Sequence, residues 1–426
     1  MRVMRYIVVL VFIWSCEGML DLQPTNTISA ENAIQNETDL QNAIRGCYDA
    51  LQADGYFGRL HLVVGDLAAD NAYNGGTILD YDQFNRNQVD SDNQFLEELW
   101  VAPFIAINRC NTVIYYTNSL ELDDEAKEAY LAELYFIRSL SYYNLLRLFE
   151  STPLKLEPTL DNSNHHVPLS ERSLVYEQII GDLKFASNKL KQEDPYFATD
   201  LAVKTLLAKI SLDTRKYEDA IEYADFVLTQ DKRLLDNYED LFIKEGNDES
   251  IFELSFTETV SDKNRLAEYC WPTNLGGRYE IAPEINFLNS FENGDVRKEL
   301  FLGQAPYCNK YESIASGADN VYIFRLAELY LVRAEARTQL RGNTTLIMND
   351  LNKIRARAGL SDIYSTSYNE LMEFILIERR HEFAFEGHRR FDLVRTNRAS
   401  DVLNIKEDQY YFPIPLNEIT TNNQIN

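Results

Sequence analysis

The chain has 426 residues, of which 45% are hydrophobic and 25% charged, the balance of a folded globular protein able to bury one large core or two ordinary ones. Its formal net charge of −26 excludes nucleic acid as a partner, because neutralising phosphates needs a surplus of Lys and Arg, and it disfavours adhesion to anionic lipid. That balance suits a self-repelling soluble surface and an uncharged ligand.

Residues 1–15 read as an export signal. Arg2 and Arg5 precede an apolar run from Tyr6 to Trp14 that is too short to cross a bilayer as a helix. Cys16 follows the small Ser15 in an arrangement that resembles a bacterial lipoprotein cleavage site, with bulky Trp14 as a departure from it. Residues 37–51 have helical period. From Gly55 to Asn93 the period breaks, and Gly55, Gly58, Gly65, Gly75 and Gly76 interleave with aromatic, Asp and Asn residues, which predicts a long functional loop. Helices are predicted again over 94–119 and 123–149, the second with a core of tyrosines and Phe136. A proline-bearing connector at 150–172 leads to helical stretches at 174–190, 200–214 and 217–230. The last two resemble a tetratricopeptide-type pair, in which Ala202, Ala208, Ala220 and Ala224 let the helices approach closely. Ser250–Phe256 alternates like a strand inside a second irregular region, 251–316. A second helix pair is predicted at 321–342 and 344–358, and the prolines at 413 and 415 exclude helix from the tail at 410–419.

The stretch 370–395 carries the densest signal. Leu371, Phe374, Ile375 and Phe385 form an apolar helical stripe that Gly387 is placed to end. Glu378, Glu382 and Glu386 recur every fourth residue, so three like charges crowd one face, at a cost of a few tenths of a kcal/mol per unpaired pair. Arg379 and Arg380 project away from them. Cations must therefore arrive from elsewhere, and Arg389, Arg390, Arg355 and Arg357 are predicted to complete a partly buried Arg–Glu network that also takes in His381 and His388.

Three ordered motifs, LNKIRARAGL (Leu351–Leu360), IERRHEFAFEGHRRFDLVR (Ile377–Arg395) and FPIPLNEI (Phe412–Ile419), resemble the C-terminal signature of the SusD/RagB family of surface-exposed, lipid-anchored nutrient-binding proteins of the Bacteroidota outer membrane. CEGMLDLQP (Cys16–Pro24) resembles the family's mature N-terminus. The resemblance implies an all-α, tetratricopeptide-like helical-repeat scaffold with long irregular ligand loops and minor β structure. It implies one domain over 16–426: a helical part to 245, a loop-rich ligand region at 246–320 and the signature region at 321–426. It also implies an acylated Cys16, an outer-membrane position facing outward, and capture of oligosaccharides for a SusC-type TonB-dependent transporter. The same scaffold binding peptides, as in RagB-type relatives, is the alternative.

No catalytic motif is present: H-E-x-x-H, G-x-S-x-G and both glycine-rich phosphate motifs are missing. Neither metal nor cofactor is expected. The five cysteines, Cys16, Cys47, Cys110, Cys270 and Cys308, lack zinc spacing, and the acidic run from Asp80 to Glu97 lacks the EF-hand glycine. A glycosidase stays open as a rival, since 67 carboxylates supply many pairs. A sugar offers C–H faces and a rim of hydroxyls, so it is met by aromatic platforms edged with Asn and Arg. On that chemistry the candidate ligand residues are Tyr73, Asn74 and Phe84 in the first irregular region. Tyr269, Trp271, Asn274, Arg278 and Tyr279 are the candidates in the second.

Overall fold

The computed structural model describes residues 34–159, 166–259 and 263–425, so Cys16 and the export signal lie outside the described residues. Its long helices are α1 (Glu37–Leu51), α2 (Gln94–Ser119), α3 (Asp124–Leu148), α4 (Arg172–Ala186), α5 (Asp200–Asp213), α6 (Tyr217–Leu228), α7 (Leu326–Gln339), α8 (Thr344–Arg357) and α9 (Tyr368–Glu382). Many start where a short polar side chain takes up an orphan backbone N–H. Asn36 accepts from Asp39 N at 3.0 Å, Asn93 from Leu96 N at 3.0 Å, and Thr199 from Ala202 N at 3.1 Å.

Sequential helices pack on one another: α1 on α2, α2 on α3, α3 on α4, then α5 on α6, α6 on α7, and α7 on α8 and α9. The product is a stack of helix pairs, as the repeat-like alanines predict; Ala202, Ala208, Ala220 and Ala224 are all buried where α5 meets α6. The C-terminal half of α3 is buried on every side, including Phe136, Tyr142 and Tyr143. A smaller apolar cluster joins α7, α8 and α9 through Leu331, Ile347, Leu351, Leu371, Ile375 and Phe383.

Four expectations change. The tail at 410–419 does enter a helix, Leu416–Thr421, because Pro415 stands just ahead of its first turn, where a missing N–H costs no helical hydrogen bond. The region 55–93 is not a loop: it holds the helix Leu60–Leu67, strand β1 (Ala72–Asn74) and the helix Leu79–Asn85, and every residue of Leu60–Leu67 is buried. Its glycines serve close packing rather than freedom, since a Cβ on Gly65 would sit 2.6 Å from the backbone of Gly387. The stretch 321–325 is strand, not helix: β6 (Val321–Arg325) pairs antiparallel with β4 (Ser250–Leu254), as its branched and aromatic residues favour, while the short β2 (Thr152–Pro153) and β3 (Leu169–Ser170) pair with each other. Finally, α9 stops at Glu382, five positions before Gly387, and Glu386 lies in the turn that follows. There Phe385 and Gly387 take positive φ values of 62° and 75°, and Gly387 N donates to Asp66 Oδ2 at 3.0 Å.

Backbone faces backbone at this crossing, so no flexible side chain can yield to an added methyl. Gly65→Ala is therefore expected to destabilise the fold by about 1–3 kcal/mol in denaturant titration, and a loss under about 0.5 kcal/mol would contradict the contact.

Candidate ligand-binding site

The two irregular regions, distant in sequence, are joined by a short antiparallel ladder between β1 and β5 (Ile281–Pro283), with Ala72 opposite Pro283, Tyr73 opposite Ala282 and Asn74 opposite Ile281. The ladder continues outward: Gly75 N donates to Glu280 O at 2.9 Å and Thr77 N to Glu280 Oε2 at 3.2 Å. Added side-chain atoms are resisted on both sides, most strictly at Gly277, where backbone faces backbone. A Cβ on Gly76 would collide with the Glu280 carboxylate, and one on Gly277 with the Trp271 carbonyl. Tyr279 N donates to Trp271 O at 2.9 Å, which folds the second loop back on itself. Tyr279 pays for that fold with a φ of 55°, a conformation costing about 1–3 kcal/mol in a bulky residue and commonest at working sites.

This arrangement sets rings at the surface. Trp271 is half-buried, pinned by donation from Nε1 to Tyr311 O at 2.8 Å, and Tyr307 lies 5.0 Å from it at 57°. The Tyr279 hydroxyl donates to Pro306 O at 3.0 Å. Burial first, and then the neighbouring Tyr73 hydroxyl, push its phenol pKa up, so it stays a neutral donor. Tyr73 is half-buried beside it, while Asn274 and Arg278 stand exposed at the rim. Arg278 lies over the Tyr269 ring at 4.7 Å and within 3.7 Å of Glu268 and 3.8 Å of Glu280. Beside it opens a cleft of about 900 Å³ whose lining includes Asp49, Asp54, Arg109, Arg265, Glu268 and Arg278. That is within the size range of small-molecule sites.

Tyr73, Trp271, Asn274, Arg278 and Tyr279 thus come together at one surface. Two predicted residues do not reach it. Phe84 is 0% exposed and meets Phe412 edge-on at 5.0 Å, so it belongs to the core. Tyr269, 4% exposed, lies under Arg278 and against Arg59, whose guanidinium is 4.4 Å from its ring; it supports the rim from below. Asn74 holds the loop, donating from Nδ2 to Ile78 O at 3.2 Å. Tyr307 was missed by sequence reasoning, although an aromatic beside Pro306 in the second irregular region was a usable signal. Among the described residues no group of His, Cys, Asp or Glu is placed to hold a metal, and Cys47, Cys110, Cys270 and Cys308 are buried free thiols.

Behind the site lies the charge network. Glu382 accepts from Arg325 and Arg357, and from Arg297 at 3.3 Å. Glu378 pairs with Arg297 at 2.5 Å and Arg355 at 3.4 Å, and Glu386 with Arg325 at 2.8 Å and Lys310 at 2.7 Å. Glu249 and Asp295 complete the set, at 2.6 Å from Arg357 and 2.7 Å from Arg297. The buried carboxylates of Glu249, Asp295, Glu378, Glu382 and Glu386 thus meet Arg297, Lys310, Arg325, Arg355 and Arg357, and Arg355 also reaches the exposed Glu292 at 2.6 Å.

Two of the predicted cations are not in it. Arg389 pairs with Asp70 at 2.6 Å, and Arg390 donates to the carbonyls of Ala68 and Gln409 at 2.7 Å each. Because α9 ends at Glu382, the chain after Gly387 has already turned toward the helix Leu60–Leu67. The histidines also stand outside: His381 stacks on Phe291 at 4.2 Å and His388 on Phe383 at 4.6 Å. Burial, then neighbouring cations, hold both imidazoles well below their usual pKa, so they are neutral rings. Arg379 and Arg380 do point elsewhere, to Asp392 at 2.8 Å and Asn71 at 2.8 Å.

A pH optimum for stability follows. Burial alone would raise Glu382, Glu386 and Asp392, but adjacent cations outweigh it and hold all three below the usual carboxylate range. Their stabilisation is present above a pH of about 4 and is lost as pH falls through the depressed folded values. Asp66 and Glu133 run the other way, burial pushing them up to about 6 and about 7, so their contribution is lost as pH rises through that range. Buried, neutral His381 and His388 lose stability below the unfolded imidazole value of about 6.5 and so offset Asp66 and Glu133. The melting temperature is expected to peak broadly between pH about 5 and 7 and to fall steeply below about 4; a melting temperature maintained down to pH about 2 would contradict this assignment.

A protein family described as the SusD family matches residues 211–408, and one described as starch-binding, associating with outer membrane, matches residues 19–212. A SusD-like protein of Formosa agariphila is 24% identical over 99% of this chain and 97% of its own length. Among solved structures, a laminarin-binding SusD-like protein superposes with a TM-score of 0.82 at 24% identity, covering 92% of this chain and 99% of that one. Surface glycan-binding protein A of Bacteroides thetaiotaomicron, in complex with laminarihexaose, superposes with a TM-score of 0.80 at 21% identity over 92% of this chain and 98% of its own. The fold is that of an all-α, tetratricopeptide-like SusD protein, and the chain belongs to the SusD/RagB family. The matching family description is of a starch-binding protein, not of a catalyst.

Proposed function

We propose that the protein captures oligosaccharides outside the cell, anchored to the outer membrane by acyl chains on Cys16, and passes them to a SusC-type TonB-dependent transporter. One observation carries the ligand reading: the ladder that joins the two irregular regions brings half-exposed Tyr73, Trp271, Tyr279 and Tyr307 beside Asn274 and Arg278. Rings offer a face to sugar C–H bonds, and the amide and guanidinium hydrogen-bond the hydroxyl edge. The family's description as associating with the outer membrane and the laminarihexaose complex of a relative support the same reading. Among the described residues no helix is long and apolar enough to cross a membrane, which agrees with attachment by lipid.

Calorimetry on the purified protein against neutral glucan, mannan and xylan oligosaccharides, laminarin fragments and mixed peptides tests the ligand class. Saturable binding of a glycan supports the proposal, whereas binding confined to peptides assigns the scaffold to the alternative ligand. Co-purification of a TonB-dependent transporter from detergent-solubilised outer membranes tests delivery. Labelling with a radioactive or alkyne-bearing fatty acid, lost in Cys16→Ala, tests the anchor.

A further inference from the structure

The C-termini of α3 and α5 meet the segment after Gly387 at a cavity of about 170 Å³ lined by Arg147, Arg172, Arg215, Arg395, Asp213 and Tyr411. Four guanidiniums at one cavity stand out on a chain of net charge −26. Only one of them is neutralised locally: Arg395 pairs with Glu335 at 2.8 Å and Asp392 at 2.7 Å. Arg147 lies over the Phe391 ring at 3.8 Å, and its Nε is buried with no hydrogen-bond partner. Arg172 donates to the Leu146 carbonyl and to the Tyr176 hydroxyl at 3.1 Å, and lies 5.0 Å over the Tyr411 ring. Arg215 is exposed, in the left-handed conformation at φ 60° just past the end of α5. Among the described residues, Arg147, Arg172 and Arg215 have no carboxylate within ion-pair distance. The one acid in the lining, Asp213, accepts the Tyr143 hydroxyl at 2.8 Å and lies 3.8 Å from Arg395.

Cations do gather at helix C-termini, and two termini here supply about half a negative charge each. That, with Asp213, offsets about two of the three unpaired guanidiniums and leaves a surplus in a site of restricted water. The cavity is below the range of sites that hold oligosaccharides, about 300–1,000 Å³. At about 30 Å³ per water it has room for one small polyatomic anion and its few remaining waters. Planar guanidinium forks match the oxygen spacing of phosphate and sulfate.

We propose that this cavity binds a tetrahedral oxyanion, a phosphate or sulfate group, either free or as a monoester on a sugar or a lipid headgroup. It shares no residue with the ring-lined site at Trp271 and Tyr279, and the proposal stands whether or not that site binds glycans.

The test is calorimetric titration of sodium phosphate and sodium sulfate into the purified protein, with ionic strength held constant by sodium chloride. Saturable binding at one site is expected, weakened about tenfold by Arg147→Gln and by Arg215→Ala. Arg215 is exposed, so its variant folds even if Arg147→Gln does not. Signal no different from chloride, or affinity unchanged in Arg215→Ala and Arg147→Gln alike, would overturn the proposal. Parallel titrations with glucose 6-phosphate and with phosphatidylcholine vesicles, with and without phosphatidic acid, assign the source. Tighter binding of the sugar ester supports a soluble ligand, and arginine-dependent vesicle binding supports a headgroup.

Discussion

Replacing Glu382 by Gln is expected to cost on the order of 3–5 kcal/mol of folding stability, one of the largest single-residue effects in the molecule. The carboxylate is 0% exposed and holds together three guanidiniums from three different parts of the chain: Arg297, Arg325 from β6 and Arg357 from α8. Glutamine keeps the shape and one acceptor oxygen but removes the charge, so three buried guanidiniums lose the carboxylate they share. Removing one partner of a buried pair costs far more than the pair contributes, because the survivor stays desolvated and unpaired. Denaturant titration of wild type and variant measures the difference. Glu373→Gln, breaking an exposed pair with Arg398, supplies the control, and its expected loss is under about 1 kcal/mol. Equal losses in the two variants would show that the inner set is no more coupled than a surface pair.

The second large effect concerns binding. Truncating Trp271 to Ala is expected to weaken oligosaccharide affinity by about tenfold to a hundredfold, and adding Tyr307→Ala should abolish measurable binding. The reason is geometric. These rings are half-buried and pinned, Trp271 by its bond to Tyr311 O at 2.8 Å, so they present a fixed face and lose little freedom when a sugar stacks on them. Phe84→Leu provides the contrast: it opens space against Phe412 and should lower the melting temperature, yet leave the affinity of the folded protein unchanged. If Phe84→Leu weakens binding as much as Trp271→Ala, the ring-lined surface is not the ligand site.

Both predictions depend on relations that cross the chain. The regularities of a linear sequence, its periods and caps, are local by nature, and local regularity is what could be read from it. The bounds of α1 and α2 coincide with the stretches of helical period, 37–51 and 94–119, because an amphipathic stripe and an Asn cap are written in adjacent residues. The alanine spacing marked the α5–α6 contact for the same reason, and the three C-terminal motifs marked the family. That Glu378, Glu382 and Glu386 needed cations was also legible, since three carboxylates on one face cannot be buried unpaired.

Which cations answer them was decided only in three dimensions. Arg297, Lys310 and Arg325 come from segments that carry no sign of their destination, and Arg389, the nearer choice, is spent on Asp70 because α9 ends early. The same limit explains Phe84 and Tyr269. A segment without a period gives no indication of which ring faces in, so a glycine-rich stretch reads as open loop even where its glycines exist to let Gly65 and Gly387 touch. Composition, most of the long helices and family were legible in the sequence alone; the meeting of β1 with β5, which turns two separate stretches into one surface, was decided by packing between residues that are neighbours only in the fold.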